Sequence, residues 1–538
     1  MNNEPIQNFS SLLKNHKNFD IKIKVGENPN IKEFKAHSII LSARSDYFKT
    51  ALSSQWARRE DGFIIFNKPN ISPHIYTGTF SNNNDVSFLD IFIAADEIGL
   101  FEIRQQVEIR LLETESAWKF PNDFITICKF DTFTNLHEIP LKFKENEALG
   151  YLRQGNYLKA LEFYEEILKI CPHSAEIQKS ASNWDLSNYR CGSENLNNLS
   201  KLLCKNIKLI SLNLSNIELG SINVEQTGVK ILADALCKNF TLKDLNLIYN
   251  NLGPEGGKTL AYALRKNSTL KNLSLSYNNL GPEGGKALAY ALCKNFTLKN
   301  LSLASNNLGS EGGKAIAYAL RKNSTLTSLN LYHNTLGSKE GKELANALYK
   351  NFTLISLNFG WNNLGKEGGK ALADALCKNS TLTSLDLQNN NLELEGVKSL
   401  ADALCKSSTL TSLNLYCNDI GSEGGKVLAN ALCKNTSLTS LDIGYNNLGP
   451  KGGKELANAL YKNSTNWIGY KGVKALADAL CKNFTLAFLS LWANNLGPEG
   501  GKALEDALCK NSTLTYLSIH SNSIGFALKS NNLNLKIR

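Results

Sequence analysis

A 28-residue unit recurs through most of this 538-residue chain and limits what the chain can fold into. The stretch NNLGPEGGKALAYALCKN at 278–295 returns at 494–511 with two letters changed. From Leu245 the pattern LxLxxNxLGxEGGKxLAxALxKNxTLxx repeats, with equivalent leucines at 273, 301, 329, 357, 385, 413 and 441. Sequence periods of about 20–50 residues are typical of solenoids, whose units bury their apolar faces against their neighbours.

Each unit predicts a strand, a turn and a helix. The LxL alternation is typical of a short strand with one buried face. Leu288, Ala291 and Leu292 have helical spacing, and Gly256-Gly257 opens such a helix. An asparagine follows each strand, where its amide can satisfy backbone groups of adjacent turns. These asparagines are Asn250, Asn278, Asn306, Asn334, Asn362, Asn390, Asn418, Asn446, Asn494 and Asn522.

Residues 200–525 resemble the leucine-rich repeats of the ribonuclease-inhibitor subclass in their 28-residue period and asparagine position. The resemblance implies an α/β horseshoe solenoid with a parallel sheet inside and helices outside. Three departures are visible. Ile217 occupies the asparagine position of the first unit, and residues 463–476 align Asn466 without a preceding strand pattern, so we expect a kink or split there. After Ile519 the last unit shows no helix pattern, so its edge is predicted to be frayed or paired.

The face of the sheet opposite the helices, which we call the concave face, is the candidate binding surface. Its central positions are mostly Ser or Asn, whereas its outer positions are richer in aromatic side chains. The predicted partner-binding residues are Tyr249, Tyr277, Tyr332, His333, Trp361, Tyr416, Tyr445 and Trp492. Aromatic rings among small polar groups are typical of protein-binding patches. The alternative is that these positions vary because nothing constrains them. RNA stacking is disfavoured because the concave face lacks an Arg/Lys stripe.

The N-terminal segments FDIKIKVG and KEFKAHSIILSARSDYFKTAL predict two strands and a helix. They resemble a BTB/POZ domain, an α+β fold, over residues 18–115, at Asp20, Phe34, Ala36, His37, Leu41, Ser45 and Phe48. The resemblance implies a homodimer and docking to a cullin scaffold of a ubiquitin ligase. The domain is shortened, because a helical turn or two is missing between residues 70–75 and 76–81. Arg58 stands where cullin-binding members tend to carry a different motif, and it would oppose that contact. His37 is predicted to be structural.

Residues 143–179 resemble one tetratricopeptide unit, through Ala148, Gly155, Tyr157, Ala160 and Tyr164. A single copy cannot form the groove of an array, so we expect a short helical hairpin. The predicted organisation is a flexible tail at 1–17, the BTB-like domain, a helical connector at 116–142, the hairpin, a linker at 180–199 and repeats at 200–538.

The formal net charge of +10 raises the question of nucleic acid. The lysines, however, form two regular columns. The first, which includes Lys258 and Lys286, lies near glutamates, and the second, which includes Lys266 and Lys294, lies at helix C-termini, where cations favour the macrodipole. A solvated helical face, and no nucleic-acid partner, is therefore predicted.

No metal, cofactor or catalytic motif is predicted. The recurring cysteines show no CxxC pair and occupy one helix position, so we expect reduced thiols. GPEGGKT at 253–259 lacks the first glycine of a phosphate-binding loop. The N-terminus lacks the apolar core of a secretory signal, and no segment has the length of a membrane helix. We therefore expect a cytoplasmic protein, with the nucleus as the other location.

The leading hypothesis is a non-enzymatic adaptor that captures a protein client on the repeats and uses the BTB module for dimerisation or ligase docking. One alternative is a regulator of an enzyme, because similar repeats occur in GTPase-activating proteins of Ran, although the chain lacks their acidic C-terminal tail. The other is a scaffold without a link to a ligase.

Overall fold

The structure is a computed structural model. It describes residues 19–25, 32–36, 38, 58–61, 63–68, 88–97, 101–113, 136, 146–170, 175–189, 193–205, 207–220, 228–451, 485–509 and 511–538. These residues belong to two compact units, one containing residues up to 151 and 159–179, the other 152–158 and 180–538. In the described part of the chain, no helix is both long and apolar enough to span a bilayer.

The N-terminal unit contains a four-stranded sheet and two helices. The strands are β1 (Ile21–Val25), β2 (Lys32–Ala36), β3 (Arg58–Glu60) and β4 (Phe63–Lys68), in the order β2-β1-β4-β3. Strand β1 is antiparallel to β2 and parallel to β4. The helices are α1 (Phe88–Glu97) and α2 (Phe101–Glu113). Ile21, Leu89, Phe92 and Leu111 are fully buried, so this mixed α+β arrangement has an apolar core.

A helical stretch separates this sheet from the repeats along the chain. Residues 146–153 are helical, and they are followed by α3 (Tyr157–Ile170) and α4 (Ala175–Ser182). Gly155 has φ +74° in the turn between the first two helices, a conformation that glycine adopts at no steric cost. Ala160 and Tyr164 of the predicted pattern are buried. The segment thus has the form of a helical hairpin.

The second unit is a solenoid in which strands and helices alternate. Thirteen parallel strands follow one another in sequence order. They are β5 (Asn183–Asp185), β6 (Ser211–Asn213), β7 (Asp244–Asn246), β8 (Asn272–Ser274), β9 (Asn300–Ser302), β10 (Ser328–Asn330), β11 (Ser356–Asn358), β12 (Ser384–Asp386), β13 (Ser412–Asn414), β14 (Ser440–Asp442), β15 (Phe488–Ser490), β16 (Tyr516–Ser518) and β17 (Lys536–Ile537). The helices described are α5 (Ser193–Cys204), α6 (Gly228–Leu236), α7 (Gly253–Lys266), α8 (Gly281–Leu292), α9 (Gly309–Lys322), α10 (Gly337–Leu348), α11 (Gly365–Leu376), α12 (Glu393–Leu404), α13 (Gly421–Leu432) and α14 (Gly497–Leu508). The predicted α/β solenoid is confirmed.

The core lies between the sheet and the helices. The central leucine of each strand from Leu245 to Leu441 is at most 3% exposed. Burying such a side chain contributes about 1.5–3 kcal/mol. The paired glycines at the helix starts allow close contact between neighbouring helices, because a Cβ on Gly257 would lie 2.9 Å from the Cα of Gly284. The side chains that alternate with the leucines point away from the helices and form the concave face.

Two expectations about the solenoid are corrected. The predicted linker at 180–199 supplies β5 and the start of α5, because Trp184 takes the place of a buried leucine and is 2% exposed. The sheet does not split after the last regular repeat. Strand β14 pairs directly with β15, with Leu441 opposite Leu489, although residues 463–476 themselves lie outside the described residues.

The C-terminal edge of the sheet is paired rather than frayed. Strand β17 adds to β16 in parallel, and the backbone N–H of Ile519 donates to the carbonyl of Arg538. The last residues of the chain therefore cover the edge that the final full repeat would otherwise expose.

Candidate protein-binding surface

The turn that follows each strand is held by the asparagine ladder. Asn278 is fully buried, and its Nδ2 donates to the carbonyls of Leu247 at 2.7 Å, Leu275 at 3.0 Å and Ser276 at 3.1 Å. Its Oδ1 accepts the backbone N–H of Asn250, the equivalent residue one repeat earlier, at 3.0 Å. The same bonds recur along the stack to Asn522. The ladder fixes the backbone from which the candidate binding residues project.

The residue before each ladder asparagine has a left-handed backbone conformation. Its φ is +58° at Tyr249 and Tyr277, +54° at His333, +57° at Trp361 and +55° at Tyr445. Residues other than Gly, Asn and Asp pay about 1–2 kcal/mol for this conformation. Asparagine occupies the position in other repeats, at residues 188, 216 and 389. The backbone therefore does not select the aromatic rings, and the side chains themselves are favoured as the reason for their presence.

The eight predicted binding residues fall into three clusters. In the first, the rings of Tyr249 and Tyr277 stack with centroids 4.4 Å apart. In the second, Trp361 lies 5.9 Å from His333 in an edge-on arrangement and 6.4 Å from Tyr332. Trp361 is 44% exposed, an unusual exposure for so large an apolar side chain.

The third cluster lies further along the sheet. Tyr416 and Trp492 are stacked at 5.6 Å with an interplanar angle of 10°, and Tyr445 lies 6.0 Å and 6.4 Å from them. His520 extends the cluster, at 5.2 Å from Trp492. This cluster exists because β15 packs directly against β14, so that residues far apart in sequence become neighbours.

Two glycines make room for these rings. Gly444 lies between Tyr416 and Trp492, and a Cβ on it would stand 3.1 Å from Tyr416 Cδ2. Gly360 lies beside Tyr332, whose Cδ2 would be 3.1 Å from an added Cβ. The concave face therefore has a shallow notch at each glycine, bordered by aromatic side chains.

Two carboxylates lie at the centre of the concave face. Asp442 Oδ1 accepts the backbone N–H of Gly444 at 2.8 Å, and Asp386 Oδ1 accepts that of Gln388 at 3.0 Å. Burial raises the pKa of both carboxyl groups, and these hydrogen bonds oppose the rise. In neighbouring repeats an asparagine makes the equivalent bond, as Asn414 does to Tyr416 at 2.9 Å.

The sequence analysis missed two features of the solenoid. Phe488 and Tyr516, at the starts of β15 and β16, are stacked at 4.9 Å. A second asparagine ladder lies in the KNST and KNFT loops. There Asn295 donates to the carbonyls of Leu264 at 2.8 Å and Asn267 at 3.2 Å and accepts the N–H of Leu298 at 2.8 Å. Its buried amide nitrogen is not accessible to N-glycosylation in the folded chain.

The first lysine column is paired with acidic residues on the helices. Lys258 Nζ lies 2.7 Å from Glu255, Lys286 Nζ 3.2 Å from Glu283, and Lys314 Nζ lies near Glu311. These exposed pairs neutralise that side of the solenoid rather than stabilise it appreciably.

The cysteine column shows no sign of a metal site. Burial raises the pKa of the Cys237, Cys293 and Cys405 thiols, so they remain protonated at neutral pH. In the part of the chain that the structure describes, no three His, Cys, Asp or Glu side chains come together as metal ligands.

Only part of the predicted BTB pattern can be placed. Asp20 accepts the backbone N–H of Ser38 at 2.8 Å and also bonds its hydroxyl, which ties the end of β2 to the start of β1. Phe34 and Ala36 are in β2, and Arg58 is the first residue of edge strand β3. His37, Leu41, Ser45 and Phe48, and the shortened segment at 70–81, lie outside the described residues.

Comparisons with known proteins agree with this architecture. The BTB/POZ domain family model matches residues 9–107. The Leucine Rich repeat model matches eight segments, at 238–261, 266–289, 294–317, 322–345, 350–373, 378–401, 406–429 and 434–457. The tetratricopeptide resemblance has no such match and remains a proposal. Among curated proteins, the sequence search found no match.

Solved structures with similarity to the chain include three with related repeats. Actin-binding site 2 of leiomodin-1 is 32% identical with a TM-score of 0.19, and the match covers 19% of this chain and 61% of that one. LegL7 from Legionella pneumophila is 24% identical with a TM-score of 0.36, over 52% and 88%. The C-terminal domain of tropomodulin from Caenorhabditis elegans is 16% identical with a TM-score of 0.25, over 28% and 90%. On its domain matches and its architecture, the chain is a BTB/POZ-domain protein with leucine-rich repeats.

Proposed function

We propose that the chain is a non-enzymatic adaptor that holds a protein client on its concave face and self-associates, or docks onto a cullin, through its BTB domain. BTB domains and leucine-rich repeats are protein-interaction modules, which supports the general role of a protein-interaction adaptor. The observation that carries the client site is the set of three aromatic clusters at backbone positions that do not favour aromatic residues.

The clusters have the chemistry of binding hot spots. Tyr and Trp are enriched among residues that dominate binding energy, and each typically contributes about 2 kcal/mol or more. In the second cluster, Trp361 is well exposed beside the notch at Gly360, so a client side chain can contact both the ring and the bare backbone. The rings are held by packing against each other, so little side-chain entropy is lost when a client binds.

The client site is tested by comparing matched double variants of the full chain. Tyr332→Ala with Trp361→Ala removes the second cluster. The control, Tyr262→Ala with Tyr290→Ala, removes two rings that are 53% and 55% exposed on helices α7 and α8. Both variants are used as bait in cells that express the chain, and captured proteins are quantified by mass spectrometry.

We expect a defined set of proteins to be lost from the concave-face variant, by about thirtyfold in affinity when remeasured with purified partner, and retained by the control. Equal capture by wild type and both variants would refute the concave face as the client site.

The role of the BTB domain is tested on the full chain by light scattering and by binding to the N-terminal domain of a cullin. A dimer that binds the cullin makes the protein a ligase substrate receptor in spite of Arg58. A dimer that does not bind it leaves a scaffold. A monomer without cullin binding refutes this part of the proposal.

A further inference from the structure

The loops that lead from each helix into the next strand form a strongly basic edge. Because all strands are parallel, these loops lie along one edge of the sheet. We call this edge the basic rim and define it as residues 237–243, 265–271, 293–299, 321–327, 349–355, 377–383, 405–411 and 433–439. The eight loops contain thirteen Lys or Arg and no Asp or Glu. Nine of the thirteen are in the first four loops.

One row of this rim has a lysine in every repeat. All eight of these side chains are exposed, and they are Lys238, Lys266, Lys294, Lys322, Lys350, Lys378, Lys406 and Lys434. Each directly precedes the residue at the position of the second asparagine ladder. Because Asn267 and Asn295 donate to carbonyls of the preceding loop, the spacing of the lysines is rigid. The rim is thus a preorganised series of positive charges.

A second row cannot be explained by the helix macrodipole. Lys243, Lys271 and Lys299 lie past the helix ends, directly before β7, β8 and β9. Their backbones are in register, since the N–H of Lys271 donates to the carbonyl of Lys243 and that of Lys299 to the carbonyl of Lys271. Like charges on neighbouring strands about 4.8 Å apart repel each other. The nearest acid in sequence, Asp244, accepts a hydrogen bond from Asn272.

Large apolar side chains are interleaved with the lysines. Phe240, Phe296 and Phe352 are 64%, 63% and 60% exposed in loops of the rim. In the central loop, Tyr349 and Ile355 are also 50% and 46% exposed. A partner for this surface must therefore offer both negative charge and apolar groups.

We propose that the basic rim binds an acidic segment of a protein partner that also carries apolar side chains. Eleven of the thirteen basic residues are lysines, which act as point charges and lack the planar fork with which Arg binds phosphates. Both arginines already lie over tyrosine rings, Arg265 over Tyr290 and Arg321 over Tyr318. An acidic polypeptide fits this surface better than a nucleic acid does. The rim lies on the edge of the sheet opposite the ladder turns that carry the aromatic clusters, so this inference is independent of the concave-face client.

The test measures fluorescence anisotropy of a labelled peptide of about 20 residues, in which glutamates alternate with Phe and Leu. A second peptide has serine in place of the apolar residues, and an oligouridylate of equal charge serves as the nucleic-acid probe. The rim variant is the full chain with Lys238→Gln, Lys266→Gln and Lys294→Gln. The matched control carries Lys258→Gln, Lys286→Gln and Lys314→Gln, which removes the same charge from three repeats on the other side.

We expect the apolar acidic peptide to bind most tightly and its affinity to fall with added salt. The rim variant should lose about tenfold in affinity and the control less than about twofold. Phe296→Ser with Phe352→Ser should weaken binding of the apolar peptide and leave that of the serine peptide unchanged. Equal losses in the two lysine variants, tighter binding of oligouridylate than of either peptide, or no peptide binding at low salt would each overturn the proposal.

Discussion

Replacing one asparagine of the ladder provides the most direct test of how the repeats are held together. Asn362 is 1% exposed and makes five hydrogen bonds. Its Nδ2 donates to the carbonyls of Leu331, Phe359 and Gly360 at 2.8, 3.0 and 3.0 Å. Its Oδ1 accepts the backbone N–H of Asn334 at 3.0 Å and, more weakly, that of Leu336 at 3.4 Å.

The structure shows which of these bonds matter most. Each carbonyl keeps another donor when Asn362 becomes Ala. For example, the carbonyl of Phe359 still accepts from Asn390 at 2.9 Å, and that of Gly360 from the N–H of His333 at 2.9 Å. The N–H of Asn334 loses its acceptor in a buried turn. One orphaned amide costs about 1–3 kcal/mol, and the weaker bond and the space left by the side chain add to it, so we expect Asn362→Ala to cost about 2–4 kcal/mol.

The assay combines urea unfolding with hydrogen exchange by mass spectrometry. Peptides containing Asn334 and Leu336 should exchange faster in Asn362→Ala, while those around Asn306, whose N–H is bonded to the intact Asn334 side chain, should not. Lys366→Ala, an exposed change in the same repeat, should shift stability by less than about 0.5 kcal/mol. A loss below about 1 kcal/mol in Asn362→Ala, or unchanged exchange at Asn334, would refute the reasoning.

Two further predictions concern buried carboxylates of the solenoid. Glu340 is 3% exposed and accepts the hydroxyl of Ser310 at 2.6 Å, so Ser310→Ala should cost about 1–3 kcal/mol, and adding Glu340→Gly should recover part of the loss in a denaturation double-mutant cycle. Burial raises the pKa of Asp442, which means that its ionised form destabilises the folded chain above that pKa. Asp442→Asn, which keeps the acceptor for Gly444, should raise the melting temperature at pH 7, and this gain should vanish as the pH falls below the ordinary carboxyl pKa of about 3.9; a gain that persists at low pH contradicts the assignment.

Much of the solenoid could be predicted because its signals are local and periodic. The buried leucines recur with the period of the unit, and a buried polar residue such as Asn278 stands out among them. The first strand was missed because it has tryptophan, at Trp184, in place of the leucine that defines the pattern. The second ladder was missed because Asn295 and its equivalents lie in polar loops, where an asparagine is not unusual in sequence.

The candidate site was predicted in composition but not in arrangement. The sequence places Tyr445 and Trp492 on concave positions, but only the pairing of β14 with β15 makes them neighbours. The left-handed backbone at Trp361 carries no sequence signal either, because the ladder rather than a Gly or Asn at that residue determines it. Both features depend on long-range register, which a single repeat does not contain.

The pairing of β14 with β15 has a consequence for how such a protein changes its partners over evolution. Asn446 and Asn494 are successive rungs of the ladder although 48 residues separate them, instead of the 28 found at other rungs. The hydrogen bonds between rungs are thus indifferent to the length of chain that connects them. Inserting one complete repeat between these strands would add a strand about 4.8 Å wide and separate Tyr445 from Trp492, now 6.4 Å apart. Duplication or loss of whole units can therefore recombine existing side chains into new surfaces without any point mutation.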